Sequence, residues 1–462
     1  MVFLTRSSTD GGLVSPDSPN NADIGTPLGA DVNADVARGS GSRAARSALP
    51  SGSLTIGAGL LIGGVSIYVF FRLGQEALGQ DGFKPIVSLW FVMFALVPGF
   101  FLPLEQEISR AVAHRRALGD GVRPVIRKVL PVAAGITAAL ILTVLVLRNR
   151  FTNDFFEGSA VVTLALLIAL IGYAPFHIAR GICSGLGHFR IYSTMIALDG
   201  LLRVVLCAVF LVAGLDNVGP YALMVAIVPM TIALGAFVSG RLRSGEGSPA
   251  TWTELAPNLG WLLLGTLCAG ALINAGPLTV DILGKGSEPE LVTRFANAVL
   301  LARVPLFLFQ AVQAAMLPRL ARLAALGDAA EFRDVLRRLF TLVGGVGIIG
   351  VVGAFVAGPW ALELVYEGGI DRRTITLLAL GSAAYMLAAA CAQSVLSMSG
   401  HVYVAIGWVT SFLTFVATAA WSSDDLFLRV ELALIASALV ALAVFALGLR
   451  SYFARLASRS RS

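Results

Sequence analysis

Charge is scarce in this sequence: only 13% of its 462 residues are Asp, Glu, Lys or Arg, whereas 56% are hydrophobic. A soluble domain carries about 25% charged residues, so the composition excludes an ordinary soluble protein. The short alternating strands that a membrane β-barrel needs are not visible either. The sequence therefore predicts an all-α integral membrane protein.

Residues for metal, disulfide or phosphate chemistry are also few. The four histidines show no zinc-ligand spacing, and no glycine-rich loop ends in the Gly-Lys-Ser or Gly-Lys-Thr of a nucleotide site. We expect no cofactor, no metal site and no enzymatic activity. The cysteines all fall inside apolar segments, where a small core hydrophobe is the expected role; they are Cys183, Cys207, Cys268 and Cys391.

Long apolar runs, by contrast, are abundant. A helix needs roughly 20 apolar residues to cross the hydrocarbon core of a bilayer, and twelve segments reach that length. In chain order they are 53–73, 83–104, 125–147, 159–180, 191–213, 218–240, 259–283, 292–317, 337–360, 374–398, 402–421 and 430–450.

The basic residues follow a membrane topology. With the N-terminus placed in the cytoplasm, the inner connections and tails hold 23 Lys and Arg, and the outer loops hold nine. Such an excess on the cytoplasmic side orients multi-pass proteins. We therefore expect both termini in the cytoplasm and read the net charge of +6 as a topology signal, with no nucleic acid as a partner.

Two sequence patterns recur at nearly one spacing. VPGFFLPLEQEISRAVAHRRALGD (97–120) is matched by VPLFLFQAVQAAMLPRLARLAALGD (304–328), and SGLGHFRIYS (184–193) by MSGHVYVA (398–405). The offsets are 207 to 213 residues. This repetition predicts that the two halves of the chain are related and that the substrate cleft lies between them.

The expected organisation is two pseudo-symmetric six-helix bundles with an axis along the membrane normal. The first bundle spans 51–245 and the second 246–452. A disordered, polar cytoplasmic tail is expected at 1–50, and a short basic tail at 453–462.

Three stretches carry a resemblance to a known family: RLGQEALGQDGF (72–83), RGICSGLGHFRIYS (180–193) and ARVPLFLFQAVQAAMLPRLARLAALGD (302–328). The chain resembles the polysaccharide (O-antigen type) flippases of the multidrug/oligosaccharidyl-lipid/polysaccharide exporter superfamily. The resemblance implies transport of a polyprenyl-pyrophosphate-linked oligosaccharide to the outer leaflet of a bacterial inner membrane by alternating access. It also implies membrane lipids and polysaccharide-assembly proteins as partners.

Other functions stay open beside this one. A cation-coupled multidrug exporter or a peptidoglycan-precursor flippase of the same superfamily would have the same fold. The first segment contains no carboxylate, which disfavours the drug exporter. A membrane polysaccharide polymerase is a further alternative, although no connection is long enough to hold a catalytic domain.

Arg303 is the sharpest candidate for a substrate site. It lies near the middle of the eighth segment, and its neighbours one helical turn away are apolar. An arginine at that depth costs about 2.5–3.5 kcal/mol on insertion scales. With Gln310 on the same helical face, it could present a charged fork and an amide to a pyrophosphate. The alternative is a structural arginine that bonds to carbonyls freed by Pro305.

Two further sets of polar residues lie within the segments. Asp199 and Arg203 are spaced to pair on one helical face, with a role for Arg203 in substrate binding and for Asp199 in ion coupling as the alternative. Asp281 and Asn274 flank a Gly-Pro kink whose carbonyls could bind a coupling cation, unless Asp281 is an interfacial carboxylate without a role. Glu105 is expected to be an interfacial anchor at a helix end.

Overall fold

The computed structural model describes residues 53–240, 242, 245–252, 259–284, 289–306, 309, 320, 323, 329–366, 370–398 and 400–459. The predicted tail at 1–50 lies outside the described residues. Within the described part, every regular element is helical. The helices are α1 Ser53–Ala117, α2 Arg123–Val146, α3 Ala160–Gly185, α4 Phe189–Val212, α5 Val218–Val238, α6 Leu259–Leu283, α7 Pro289–Ala302, α8 Ala329–Tyr366, α9 Arg372–Ser397, α10 His401–Trp421 and α11 Leu426–Arg459.

Ten of the described helices are long and apolar enough to cross a membrane by length and composition. The surfaces of α2, α4 and α8 show where the lipid lies, because only 22%, 17% and 17% of their most apolar windows are buried. Large apolar side chains exposed along whole helices are stable in hydrocarbon and not in water. The chain is an all-α, multi-pass membrane protein, as its composition predicts.

The first two predicted segments are joined within α1 at a kink. The sequence predicts a loop at 74–82, but the helix continues on both sides of Gly79, which alone departs from helical geometry at φ 72° and ψ 168°. Only glycine adopts this region readily, since it has no Cβ. The second arm of α1 also runs to Ala117, beyond the predicted end at 104.

The eighth predicted segment is described only over its first half. There α7 ends at Ala302, and Arg303 lies in a turn with its amide donating to the Leu300 carbonyl at 3.0 Å. Among the described helices, α8 begins at Ala329 and so starts eight residues before the ninth predicted segment at 337–360. Similarly, α11 continues to Arg459, into the predicted tail at 453–462.

The helices pack as two groups that meet along α1. In the first group, α1 packs against α3 and α4, and α3 packs against α5; in the second, α10 packs against α6 and α11, and α9 packs against α8 and α11. The first and second groups meet where α1 contacts α6 and α7. All four cysteines are free; Cys183, Cys207 and Cys391 are buried, as predicted for core residues, whereas Cys268 is partly exposed.

Candidate functional site

A cavity of about 570 Å³ lies between the two groups of helices. Its walls come from α1, α3 and α4 on one side and from α6, α7, α9 and α10 on the other. Along the second arm of α1, the lining runs from Trp90 to Gln106. The cavity therefore occupies the middle of the bundle and the end that the charge pattern assigns to the cytoplasm.

Arg303 lines this cavity from the end of α7. Its guanidinium lies 5.6 Å from the ring centroid of Phe91, and the tyrosines nearest to its charge are Tyr68 and Tyr385. Its side chain forms no ion pair or hydrogen bond with any residue that the structure describes. The predicted companion, Gln310, lies outside the described residues.

Arg203 and Asp199 form the ion pair that their spacing predicts, with 2.7 Å between the guanidinium nitrogen and the carboxylate oxygen. Arg203 is buried, and it also donates to the Tyr173 hydroxyl at 2.8 Å and lies over the Trp90 ring at 5.3 Å. Both residues line the cavity, so the face of α4 that carries them points into it. Its charges offset each other, so it adds little net charge to the wall.

A second buried ion cluster, which was not predicted from the sequence, reaches the same wall through His177 and Arg180. Glu105 is 4% exposed and is not the interfacial anchor that the sequence predicts. Its carboxylate lies 2.7 Å from Nδ1 of His177 and 3.2 Å from Arg180, and it accepts a hydrogen bond of 3.0 Å from the Tyr192 hydroxyl.

A sequence signal for this cluster does exist. Tyr173, His177 and Arg180 recur at helical spacing, so they form a polar stripe on one face of an otherwise apolar helix. All three line the cavity. A stripe of this kind points inward, because a polar face exposed to lipid would be costly.

Asp281 does not line the cavity. Its carboxylate lies 2.8 Å from the Lys84 ammonium and accepts a hydrogen bond of 2.8 Å from the Ser88 hydroxyl, and Lys84 also pairs with Glu157. These contacts join α6 to the first group of helices. The carboxylate proposed for ion coupling therefore bridges the two halves in this conformation.

Asn274 also joins the halves. Its amide nitrogen donates to the Phe94 carbonyl at 3.0 Å and to the Gly270 carbonyl at 2.8 Å. The side chain reaches the cavity, but these two bonds fix its nitrogen. A role in ion binding would have to use its carbonyl oxygen.

More polar contacts between the halves lie near Asp281, at the end assigned to the outside. Gln75 and Asn297 exchange amide hydrogen bonds of 2.8 and 2.9 Å, and Arg294 donates to the Gln80 side chain at 3.1 Å. With Lys84–Asp281 they form what we call the outer latch. The latch closes this end, whereas the cavity continues toward the other.

The charges in the wall favour an anion. Three arginines line the cavity, and two of them have carboxylate partners: Arg180 has Glu105, and Arg203 has Asp199. Arg303 has none among the described residues. One uncompensated guanidinium in a low-dielectric cavity attracts an anion strongly, and its planar fork fits a phosphate.

Aromatic pairs flank these charges. Trp90 stacks on Phe94 with 4.5 Å between ring centroids, and Tyr385 lies 5.2 Å from Trp408. All four rings line the cavity and offer faces for flat or apolar parts of a ligand. Among the described residues, no three His, Cys, Asp or Glu side chains could jointly hold a metal ion.

Comparisons with known proteins identify the fold. No family model matches the chain. Uncharacterized proteins of Mycobacterium tuberculosis and Mycobacterium bovis are 24% identical over 412 residues, with 80% of this chain and 85% of theirs covered.

Three solved structures are similar over most of their length. An inward-facing multidrug resistance MATE family transporter of the MOP superfamily has a TM-score of 0.68 at 11% identity, covering 86% of this chain and 96% of its own. An outward-facing transporter of the same description has a TM-score of 0.64 at 13% identity, covering 89% of this chain and 96% of its own. A Vibrio cholerae MATE transporter in the bent form has a TM-score of 0.59 at 15% identity, covering 87% of this chain and 97% of its own. The fold is accordingly that of twelve transmembrane helices in two bundles.

Proposed function

We propose that this protein is an exporter that moves a polyprenyl-pyrophosphate-linked oligosaccharide across a bacterial inner membrane by alternating access. The observation that carries the proposal is Arg303, a cavity arginine without a carboxylate partner among the described residues. An unpaired guanidinium at this depth is costly unless a ligand offsets it. A pyrophosphate supplies the matching charge and geometry.

Each part of such a substrate has a matching surface. The pyrophosphate would contact Arg303, which has no carboxylate partner among the described residues, and the nearest sugar would stack on the Tyr385–Trp408 pair beside it. The cavity volume lies within the range of about 300–1,000 Å³ that is usual for ligand sites. The polyprenyl chain would stay in the surrounding lipid, where its burial costs nothing.

The proposed cycle has two states, which differ in whether the outer latch is closed or open. In this conformation the contacts between the halves are closed at the latch, and the cavity extends toward the opposite end. Opening the latch while closing the opposite end would present the head group to the other leaflet. A peptidoglycan-precursor flippase would use the same wall, because its lipid substrate also carries a pyrophosphate.

A cation-coupled multidrug exporter is the second candidate. The similarity to multidrug MATE transporters and the aromatic pairs in the cavity favour it. A cationic drug, however, needs an uncompensated carboxylate. Asp199, which lines the cavity, is already paired with Arg203, and Glu105, which contacts the lining residues His177 and Arg180, is paired as well.

The test is the fate of lipid-linked glycan in cells depleted of this protein. We expect the lipid-linked oligosaccharide to accumulate on the inner leaflet, because its exit is blocked. The accumulation of cationic dyes should not change. Unchanged lipid-linked glycan together with increased dye retention would reject the proposal in favour of the drug exporter.

A further inference from the structure

One buried carboxyl group in the second bundle has no hydrogen-bond partner among the described residues. Glu431 lies on α11 and is 0% exposed, and neither of its side-chain oxygens makes a hydrogen bond with any residue that the structure describes. It lies five residues from the start of the helix, or about 7.5 Å along its axis at 1.5 Å per residue. This places it near the end of the bundle that holds the outer latch.

A neighbouring hydroxyl is also without a hydrogen-bond partner among the described residues. The hydroxyl of Thr374, on α9, lies beside the Glu431 carboxyl but not at a hydrogen-bonding geometry, and it too is fully buried without a partner. Two helices thus place two unsatisfied oxygen groups side by side. An ionised carboxylate is not stable in such surroundings, whereas a protonated one is neutral and can donate to an oxygen.

The charges near this site lie on its outer side. Arg373, Asp371 and Asp425 are the charged groups that act on Glu431. Arg373 pairs with Asp425 at 2.8 Å and is about half exposed, as is Asp425. Charged groups in contact with solvent therefore lie within electrostatic reach of the buried carboxyl.

Within the described part of the chain, the other helices around Glu431 bring no charge that would hold it ionised. α7 packs against the start of α11 through Phe295 and Phe427, at 4.8 Å between ring centroids, and its Arg294 and Glu290 pair with each other. On α6, Asp281 pairs with Lys84. Within α10, none of the residues is Asp, Glu, Lys or Arg.

We propose that Glu431 is a proton-binding site whose loss of the proton favours opening of the outer latch. In the conformation described, the carboxyl is neutral and the second bundle is closed around it. Deprotonation would leave a buried charge, which draws water and Arg373 inward and loosens the packing of α7, α9 and α11. The coupling of this proton to transport rests on the proposed exporter function, whereas the protonation of Glu431 does not.

Infrared spectroscopy of the full-length protein in lipid vesicles tests the site directly. A protonated carboxylic acid has its own carbonyl stretch. We expect a band that disappears as the pH rises and that is absent in Glu431→Gln at every pH. The matched control is Glu363→Gln, on an exposed face of α8, which should keep the band.

Several outcomes would contradict the proposal that Glu431 binds a proton. If Glu431→Gln loses no protonated-acid band at any pH, Glu431 is ionised and the proposal is wrong. A band that vanishes when Na⁺ replaces K⁺ at constant pH would mean a metal cation in place of a proton. Glu431→Gln is the neutral mimic and should fold; failure to fold would show that the protein requires the ionised form.

Hydrogen exchange of α7 tests the link to the latch without any substrate. Wild type and Glu431→Gln are compared at each pH, so the intrinsic exchange rates cancel. We expect equal protection of the peptide around Asn297 at low pH and at least threefold faster exchange in wild type at high pH. Equal protection at every pH would reject the link, and because neither measurement needs a transported molecule, a failed exporter hypothesis would show separately in the glycan assay.

Discussion

At the scale of single residues, the protein combines paired charges with a few unpaired ones. Asp199 and Arg203 are held 2.7 Å apart in the cavity wall, and Glu105 is surrounded by three polar side chains. Breaking a buried pair leaves one charge without compensation. The unpaired groups, Arg303 and Glu431, are where an external charge or proton would have the largest effect.

The Asp199–Arg203 pair gives the first prediction. Removing one partner of a buried pair costs about 3–5 kcal/mol, so Asp199→Asn and Arg203→Gln should each lower the amount of folded protein. The double variant should recover folding, because two neutral amides can bond to each other. Size-exclusion profiles in detergent report the folded fraction.

Transport by that double variant then separates two roles. Since Arg203 lines the cavity, we expect the double variant to fold but to transport the lipid-linked glycan at least tenfold more slowly than wild type. Normal transport by the double variant would mean that the pair only neutralises itself.

Sequence reasoning at this scale succeeded where the determining partner is local. Arg203 has its carboxylate one turn away, and Arg303 visibly lacks one within its own helix. Glu105, Lys84 and Glu431 were missed because each lies near the end of a predicted segment, where an interfacial position is the usual one. Their burial depends on side chains from other helices, and a single sequence does not show which helices meet.

At the scale of elements, the kink in α1 sets the angle between two membrane-spanning arms. Gly79 has φ 72° and ψ 168°, a region that is essentially confined to glycine and costs other residues about 1–3 kcal/mol. Gly79→Ala should therefore lower the melting temperature in detergent, although a Cβ there meets no atom within 4 Å.

Gly135 provides the matched control. It lies inside α2, exposed and likewise without a neighbouring atom within 4 Å of an added Cβ, but it does not have a positive φ. Gly135→Ala should leave the melting temperature unchanged or raise it slightly, since alanine favours a helix over glycine by about 0.5–1 kcal/mol. An equal decrease in melting temperature in both variants would mean that the positive φ at Gly79 does not matter for stability.

Asp120 helps to tie the connection after α5 to the end of α1, beside Arg115, which donates to the Ser248 carbonyl at 2.7 Å. Asp120 accepts hydrogen bonds from the hydroxyl and the amide of Ser248, and these bonds hold the pKa of Asp120 below its usual value. A depressed pKa means that the carboxylate form is favoured by folding. The anchoring is complete above the unfolded pKa of about 3.9 and is lost as the pH falls through the lower folded value.

Hydrogen exchange of residues 245–250 measures this anchoring. In wild type, protection should be constant above about pH 4 and should fall as the pH drops further. Asp120→Asn should show the weaker protection throughout, because a neutral amide is a poorer acceptor for two donors. Identical protection in both proteins at pH 5 would contradict the assignment.

At the scale of the whole molecule, the twelve apolar segments and the repeated motifs were sufficient to predict the fold. Most segments agree with the described helices to within a few residues, because a bilayer enforces their length and leaves little choice of structure. The state of the cavity could not be predicted in this way. Which end is closed depends on side-chain contacts between the two halves, such as Gln75 with Asn297.

The orientation of the molecule yields a further prediction. In a background without native cysteines, Ser422→Cys in right-side-out vesicles should react with an impermeant maleimide, whereas Gly245→Cys should react only after permeabilisation. Both positions are exposed in the structure, so a failure to react reports sidedness. The reverse pattern would invert the topology and with it the direction of transport.

The most direct test of the central claim is the movement of a labelled polyprenyl-pyrophosphate-linked oligosaccharide in proteoliposomes. We expect wild type and the exposed control Arg190→Ala to move it. Arg303→Ala should insert normally but move it at least tenfold more slowly, because the pyrophosphate loses its charge-assisted hydrogen bonds. Arg303→Lys should recover part of the rate, and Arg303→Glu should be slower than Ala. If Arg303→Ala and Arg303→Glu both match wild type, the pyrophosphate does not bind at Arg303 and the proposed function loses its main support.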